Sequence, residues 1–180
     1  TDFTIHTADK SMTCHRVVLA ANSRVLKAML TSDMTEANKQ EATFNNISPD
    51  VMDLLLDFMY SGKVTMSAEQ LGYVLEASEY LEIMVLKSMC LKEVPAVLNP
   101  ANCLSWFKLA EKMKLSDIKA ECSKILVSSF VDICQDQEFL ELKFSEVSEL
   151  FSMVHGDAVD SDDMLEGAMS WVQHDVDGRI

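Results

Sequence analysis

The sequence predicts an α/β region, a small sheet flanked by helices, through about residue 97, and an all-α helical bundle after it. Three observations lead there. "DFTIHT" at residues 2–7 alternates, with Phe3 and Ile5 on one face, which is the period of a half-buried strand. Residues 15–94 then alternate between helical apolar spacing and short strand-like stretches. From Asn99 onward only helical periodicity remains. The change of pattern divides the chain into residues 1–97 and 98–180, with the junction near Leu98.

Each element has a local reason. "DFTIHT" and "KSMTC", separated by the turn-like Ala8-Asp9, read as a hairpin. Residues 15–30 place Val18, Leu19, Val25, Leu26, Met29 and Leu30 at helical spacing, and Asn22-Ser23 interrupts them, which predicts two short helices. A strand is expected over residues 41–45. Ser48 as N-cap, Pro49 at the first helical position and Asp50 in the first turn open the next helix, and Gly62 stops it. "KVTM" at residues 63–66 reads as a short strand. Ser67 to Gln70 is a capping box opening another helix. A further helix is expected over residues 85–94, ending at Pro95. In the second region helices are expected over residues 100–113, 117–130, 137–142, 145–154 and 162–174, with Ser116 and Ser161 as N-caps.

Composition narrows the function classes. The 180 residues are 48% hydrophobic and 24% charged, a globular balance, with a net charge of −14. Residues 1–97 carry 8 Lys+Arg against 13 Asp+Glu, net −5, and residues 98–180 carry 7 against 16, net −9. That sign argues against nucleic acid and against an anionic membrane surface. Cys14, Cys90, Cys103, Cys122 and Cys134 are odd in number and widely spaced, without C-x-x-C, which predicts reduced thiols and a cytoplasmic or nuclear setting. Twelve methionines suit adaptable binding surfaces.

Motifs that could carry catalysis have simpler readings. Ser116-Asp117-Ile118-Lys119 fits S-x-x-K, but S-D-N and K-T-G companions are absent and a helix-start serine suffices. Cys14-His15 sets a thiol beside an imidazole, yet neighbours along a strand point to opposite faces. His6, His15, His155 and His174 have no metal-ligand spacing with the cysteines. Asp157, Asp160, Asp162 and Asp163 suggest calcium, but a loop starting at Asp160 holds Leu165 where an EF-hand needs glycine. No cofactor and no metal are expected, and the chain reads as a non-catalytic protein.

Taken together, several stretches resemble the BTB (POZ) domain. "TDFTIHT" is similar to its first core strand, "CHRVVLAANSRVLKAML" to its His-Arg-x-x-Leu-Ala-Ala-x-Ser run, and "ISPDVMDLLLDFMYSGKV" to its helix ending in Tyr-Thr/Ser-Gly. "EQLGYVLEASEYLEI" is similar to its following helix. The remainder resembles the BACK domain that follows BTB in Kelch-like proteins, through "LNPANCLSWFKLAEKMKL", "FLEL" and "MLEGAMSWVQHD". Leu26 and Met29-Leu30 stand where the family is more aromatic. The family's N-terminal dimerisation helix and the end of BACK are expected to lie outside this sequence.

The resemblance implies an adaptor that binds the N-terminal domain of Cullin-3, the scaffold of an E3 ubiquitin ligase, while a C-terminal domain such as Kelch repeats holds the substrate. Met34-Thr35-Glu36 lies where the family carries an apolar-x-Glu cullin-docking motif, and Tyr60 resembles an aromatic that faces the cullin. Leu98, Asn99, Asn102 and Leu104 fall in the segment called the 3-box. Met34 could equally cover the edge of its own core, Tyr60 could simply pack, and the asparagines could simply cap. Trp171 reads as a core tryptophan of BACK. A homodimer is implied, through a surface including His15, Val18, Leu19, Ala21 and Met29. The alternative is a BTB-BACK self-association scaffold, cytoskeletal or transcriptional, without a ligase role.

Overall fold

The structure, a computed structural model, describes residues 1–31, 40–154 and 159–174. It divides into two compact units, Thr1–Val94 and Pro95–Ile180. Met34 and Glu36 lie outside the described residues, as do His155 and Asp157.

In the first unit, β1 (Phe3–His6) and β2 (Ser11–Cys14) form the expected antiparallel hairpin, with Phe3 opposite Cys14 and His6 opposite Ser11. Thr7 closes it by donating from its N–H and its hydroxyl to the Lys10 carbonyl, at 2.9 and 3.1 Å. β3 (Glu41–Thr43) lies on the other side of β1, parallel to it, giving the order β2-β1-β3. A parallel neighbour needs a long connection. That connection contains α1 (Arg16–Asn22) and α2 (Arg24–Thr31). Alternation buries Phe3, Ile5, Met12, Cys14 and Ala42 and leaves Thr4, Ser11, Thr13 and Glu41 more exposed.

The break between α1 and α2 falls where the sequence places it. Ser23 is extended, with φ −131° and ψ 126°. Its hydroxyl accepts from the Leu26 N–H at 3.0 Å and donates to the Leu81 carbonyl, so one buried serine caps α2 and ties it to the chain after the next two helices. α3 (Pro49–Ser61) opens with Ser48 accepting from the Val51 N–H at 3.4 Å. It ends at Gly62, whose φ of 70° is the left-handed C-terminal conformation and whose N–H donates to the Phe58 carbonyl at 2.8 Å. α4 (Ala68–Tyr80) has both halves of the capping box, Gln70 N–H to Ser67 Oγ at 3.3 Å and Ser67 N–H to Gln70 Oε1 at 2.9 Å.

Two expectations in this region are corrected. Residues 63–66 are not a strand: Val64 and Met66 are more buried than Lys63 and Thr65, but no described strand pairs with them. Alternation reports a half-buried segment; it does not supply a ladder partner. α5 (Met84–Val97) also continues through Pro95. A proline one turn from a helix end removes one hydrogen bond, which the buried stripe Leu86, Cys90 and Val94 offsets.

The second unit holds α6 (Cys103–Lys112), α7 (Ser116–Ser128), α8 (Phe130–Ile133), α9 (Gln137–Leu140), α10 (Phe144–Val154) and α11 (Ser161–His174). Among its described residues none is in a strand, as expected. The expected helix over 117–130 divides at Ser129, and Ser116 and Ser161 are first helical residues rather than N-caps. The Ser116 hydroxyl reaches only Asp117 Oδ1, at 3.5 Å, and Leu115 stands at the cap position with no side-chain bond. Apolar contact fixes these helices instead. Trp171 is 5% exposed and donates from Nε1 to the Leu142 carbonyl at 2.8 Å. A Cβ at Gly167 would lie 2.7 Å from Cys134 Sγ, so α11 approaches as closely as it does only because that residue has no side chain.

Candidate protein-docking surfaces

Tyr60 closes the last turn of α3 and is 49% exposed. Its hydroxyl accepts from the His15 main-chain N–H at 2.8 Å and shares a second hydrogen bond of 2.7 Å with His15 Nδ1. The two rings meet edge-on, centroids 5.9 Å apart at 62°. The neighbouring Met59 carbonyl, one of the orphan acceptors at a helix end, accepts from Asn22 Nδ2 at 3.2 Å. The start and the end of α1 thus hold the end of α3 at two points. The sequence reading missed the Asn22–Met59 and His15–Tyr60 links, because residues 37 and 45 positions apart carry no periodic signal.

His15 is also the N-cap residue of α1, yet its side chain makes no cap bond. Asp2, just before β1, does that work, its carboxylate accepting from the Arg16 N–H at 2.8 Å. Of the other residues assigned to a self-association face, Ala21 is exposed and Val18 and Met29 are half-buried. Leu19 is 0% exposed, which corrects its assignment: its side chain belongs to the core of its own unit. Val17 is far more exposed than Val18 and is the better apolar candidate on α1.

In the second unit, residues 98–104 form a self-satisfied turn. Asn102 Nδ2 and Asn99 Nδ2 donate to the Val97 carbonyl at 2.9 and 3.1 Å. Asn102 Oδ1 accepts from the Asn99 N–H at 2.9 Å, and Asn99 Oδ1 accepts from the Ala101 N–H at 3.0 Å. The asparagines therefore cap the chain behind them rather than α6 ahead. Leu98 is half-buried. Leu104 is 3% exposed and faces its own core, so the expectation that it meets a partner is corrected.

The other chemistry-bearing groups are engaged structurally. All five cysteines are free and buried. Burial pushes the Cys14, Cys90 and Cys122 thiols up to about 11 and the Cys103 and Cys134 thiols up to about 12, opposite to what a nucleophile needs. Lys119 of the S-x-x-K motif pairs with Glu111 at 2.7 Å and Glu149 at 3.3 Å and lies over the Phe107 ring. Its hydrogen bond to Glu111 holds it above the usual lysine range, so it stays charged and cannot serve as a base. Among the described residues no group of three His, Cys, Asp or Glu could hold a metal, and no helix is long and apolar enough to cross a membrane. A groove of about 600 Å³ between α10 and α11 is lined by Phe144, Phe151, Met164 and Trp171 with only Ser148 and Ser152 as polar side chains, so it offers no acid or base.

The family model described as the BTB/POZ domain matches residues 1–98, and that described as BTB And C-terminal Kelch matches residues 103–180. Kelch-like protein 17 of Mus musculus is 30% identical over 178 residues, covering 99% of this chain and 28% of that protein. Kelch-like protein 24 of Homo sapiens is 32% identical over 182 residues, covering 99% of this chain and 30% of that protein. The chain thus spans less than a third of the length of these relatives. Solved structures similar to it include the BTB domain of zebrafish PATZ1, with TM-score 0.47 and 23% identity over 53% of this chain and 75% of that one. The BTB domain of human Gigaxonin is also similar, with TM-score 0.46 and 22% identity over 51% and 75%.

Proposed function

Because this chain belongs to the BTB/POZ family, its BTB domain followed by a BACK domain, we propose that it is the adaptor module of a Cullin-3 ubiquitin ligase. The observation that carries the reading is the tandem itself, BTB at 1–98 and BACK at 103–180, in an order shared with Kelch-like relatives over 99% of the chain. The buried, protonated thiols and the paired Lys119 support a binding protein whose ligase partners perform the chemistry.

On this reading Met34 inserts into a cleft on the Cullin-3 N-terminal domain and Glu36 meets a helix N-terminus or donors beside it. Tyr60 adds an aromatic contact, and Leu98, Asn99 and Asn102 form the rim of a second contact. The substrate is held by a region outside this sequence. A second copy of the chain pairs through the surface that includes His15, Val18, Ala21 and Met29, and light scattering showing only monomer at micromolar concentration would remove that part.

A pull-down on immobilised Cullin-3 N-terminal domain tests the function. The adaptor reading expects retention of the folded chain at micromolar concentration. A folded chain that is not retained overturns it, and self-association without a ligase role then becomes the better account.

A further inference from the structure

We infer that His15 is a positioning residue for Tyr60: it fixes the tyrosine ring in one orientation on the surface, so that a docking protein meets a preset aromatic face. The inference rests on the docking reading of Tyr60 and adds the device that serves it. It starts from where the polar groups of His15 go: at the N-cap position of α1 its side chain makes no bond to the helix. Asp2 supplies the cap instead, at 2.8 Å from the Arg16 N–H. The main-chain N–H and the Nδ1 of His15 both meet one atom, the Tyr60 hydroxyl, at 2.8 and 2.7 Å. The main-chain N–H involved precedes the first helical residue, so its use costs α1 no internal bond.

Tyr60 is gripped at both ends. Asn22 holds the Met59 carbonyl just before it, and His15 holds the hydroxyl at the tip. The ring between them stays half exposed. A half-exposed tyrosine with a free tip would sample several rotamers and lose that freedom on docking. Pre-ordering it removes this cost, which for one side chain corresponds to about three- to tenfold in affinity. The arrangement also determines which part of Tyr60 a partner meets. The hydroxyl is already engaged, so contact is with the ring flank.

The test combines affinity with a direct view of the ring. Titration against the Cullin-3 N-terminal domain should show His15→Ala and Tyr60→Phe each about three- to tenfold weaker, with the double variant no weaker than either alone. His15→Asn, whose side-chain oxygen can stand near the Nδ1 position, should recover most of the loss. In tyrosine-labelled protein, the Tyr60 ring resonances should move toward rotamer-averaged values in His15→Ala, while the thermal melt shows the chain still folded. Unchanged Tyr60 resonances in His15→Ala overturn the inference. So does a loss in Tyr60→Phe with wild-type affinity in His15→Ala, since the hydroxyl would then serve the partner directly. If wild-type protein does not bind Cullin-3, the ligase reading fails. The ring resonances still decide the positioning role: averaging in His15→Ala supports it and constancy refutes it.

Discussion

The two units fix most of their helix starts by different means. In residues 1–94 polar side chains mark the boundaries: Ser23, Ser48 and the Ser67–Gln70 box at helix starts, Gly62 at a helix end. In residues 95–180, α6, α7 and α8 start without any side-chain cap bond, although α9 has one from Asp136. Apolar burial around Trp106, Phe139 and Trp171 sets where those helices lie. The contrast teaches that a boundary written as a cap is local information, whereas a boundary set by packing exists only once distant helices meet.

Alkaline titration should give the largest effect, because five buried thiols act together. They keep their protons in the folded chain up to about 11 or 12, whereas unfolded cysteines ionise from about pH 8.5. Unfolding then releases protons, so stability holds below about pH 8.5 and falls as pH climbs toward 11 and 12. Three of the five thiols, including both with the highest values, lie in residues 95–180. Both tryptophans lie there too and all three tyrosines lie in 1–94, so tryptophan fluorescence should lose its folded signal no later than the first unit's circular dichroism. The same burial predicts that a thiol reagent at pH 8 labels the folded chain slowly and the denatured chain at five positions.

Trp171→Ala should destabilise by about 3–5 kcal/mol, the scale for emptying a buried tryptophan site. Trp106 emission on denaturant titration would read it. Ser23→Ala should cost about 1–3 kcal/mol, because it removes a cap and leaves the buried Leu81 carbonyl without that donor. The sharpest probe of the contrast is a pair of serines. Ser67→Ala should cost about 1 kcal/mol, and Ser116→Ala should stay within about 0.5 kcal/mol because its hydroxyl caps nothing. Equal losses at the two serines would erase the distinction drawn between the units.

The same distinction explains how much could be read in advance. The hairpin, the α1–α2 break at Ser23, the Ser48 and Ser67 starts and the Gly62 stop were all legible, because each is decided within four residues. The α/β-then-α order was legible from the loss of period-two alternation after Asn99. Residues 63–66 were misread because alternation looks alike whether or not a neighbouring strand exists to pair with. Ser116 was misread because a serine before an apolar run resembles a cap even where packing starts the helix one residue early. Of the candidate docking residues, Tyr60 was legible as a motif, but its tether to His15 was not. Leu19 lies between half-buried neighbours and Leu104 beside the exposed Ser105, and only the packed helix shows that each turns inward.

The adaptor reading turns most directly on calorimetric titration of the wild-type chain and Met34→Ala against the Cullin-3 N-terminal domain, with thermal melts alongside. Docking through Met34 predicts binding by the wild type and an affinity loss of about 1–3 kcal/mol in the variant, roughly five- to a hundredfold, with the melting temperature unchanged. Glu36→Ala should lose less, as rim charges act mainly on association rate. Wild-type affinity in Met34→Ala, or a lowered melting temperature with the affinity of the folded fraction intact, would contradict the account and assign the methionine to its own core edge.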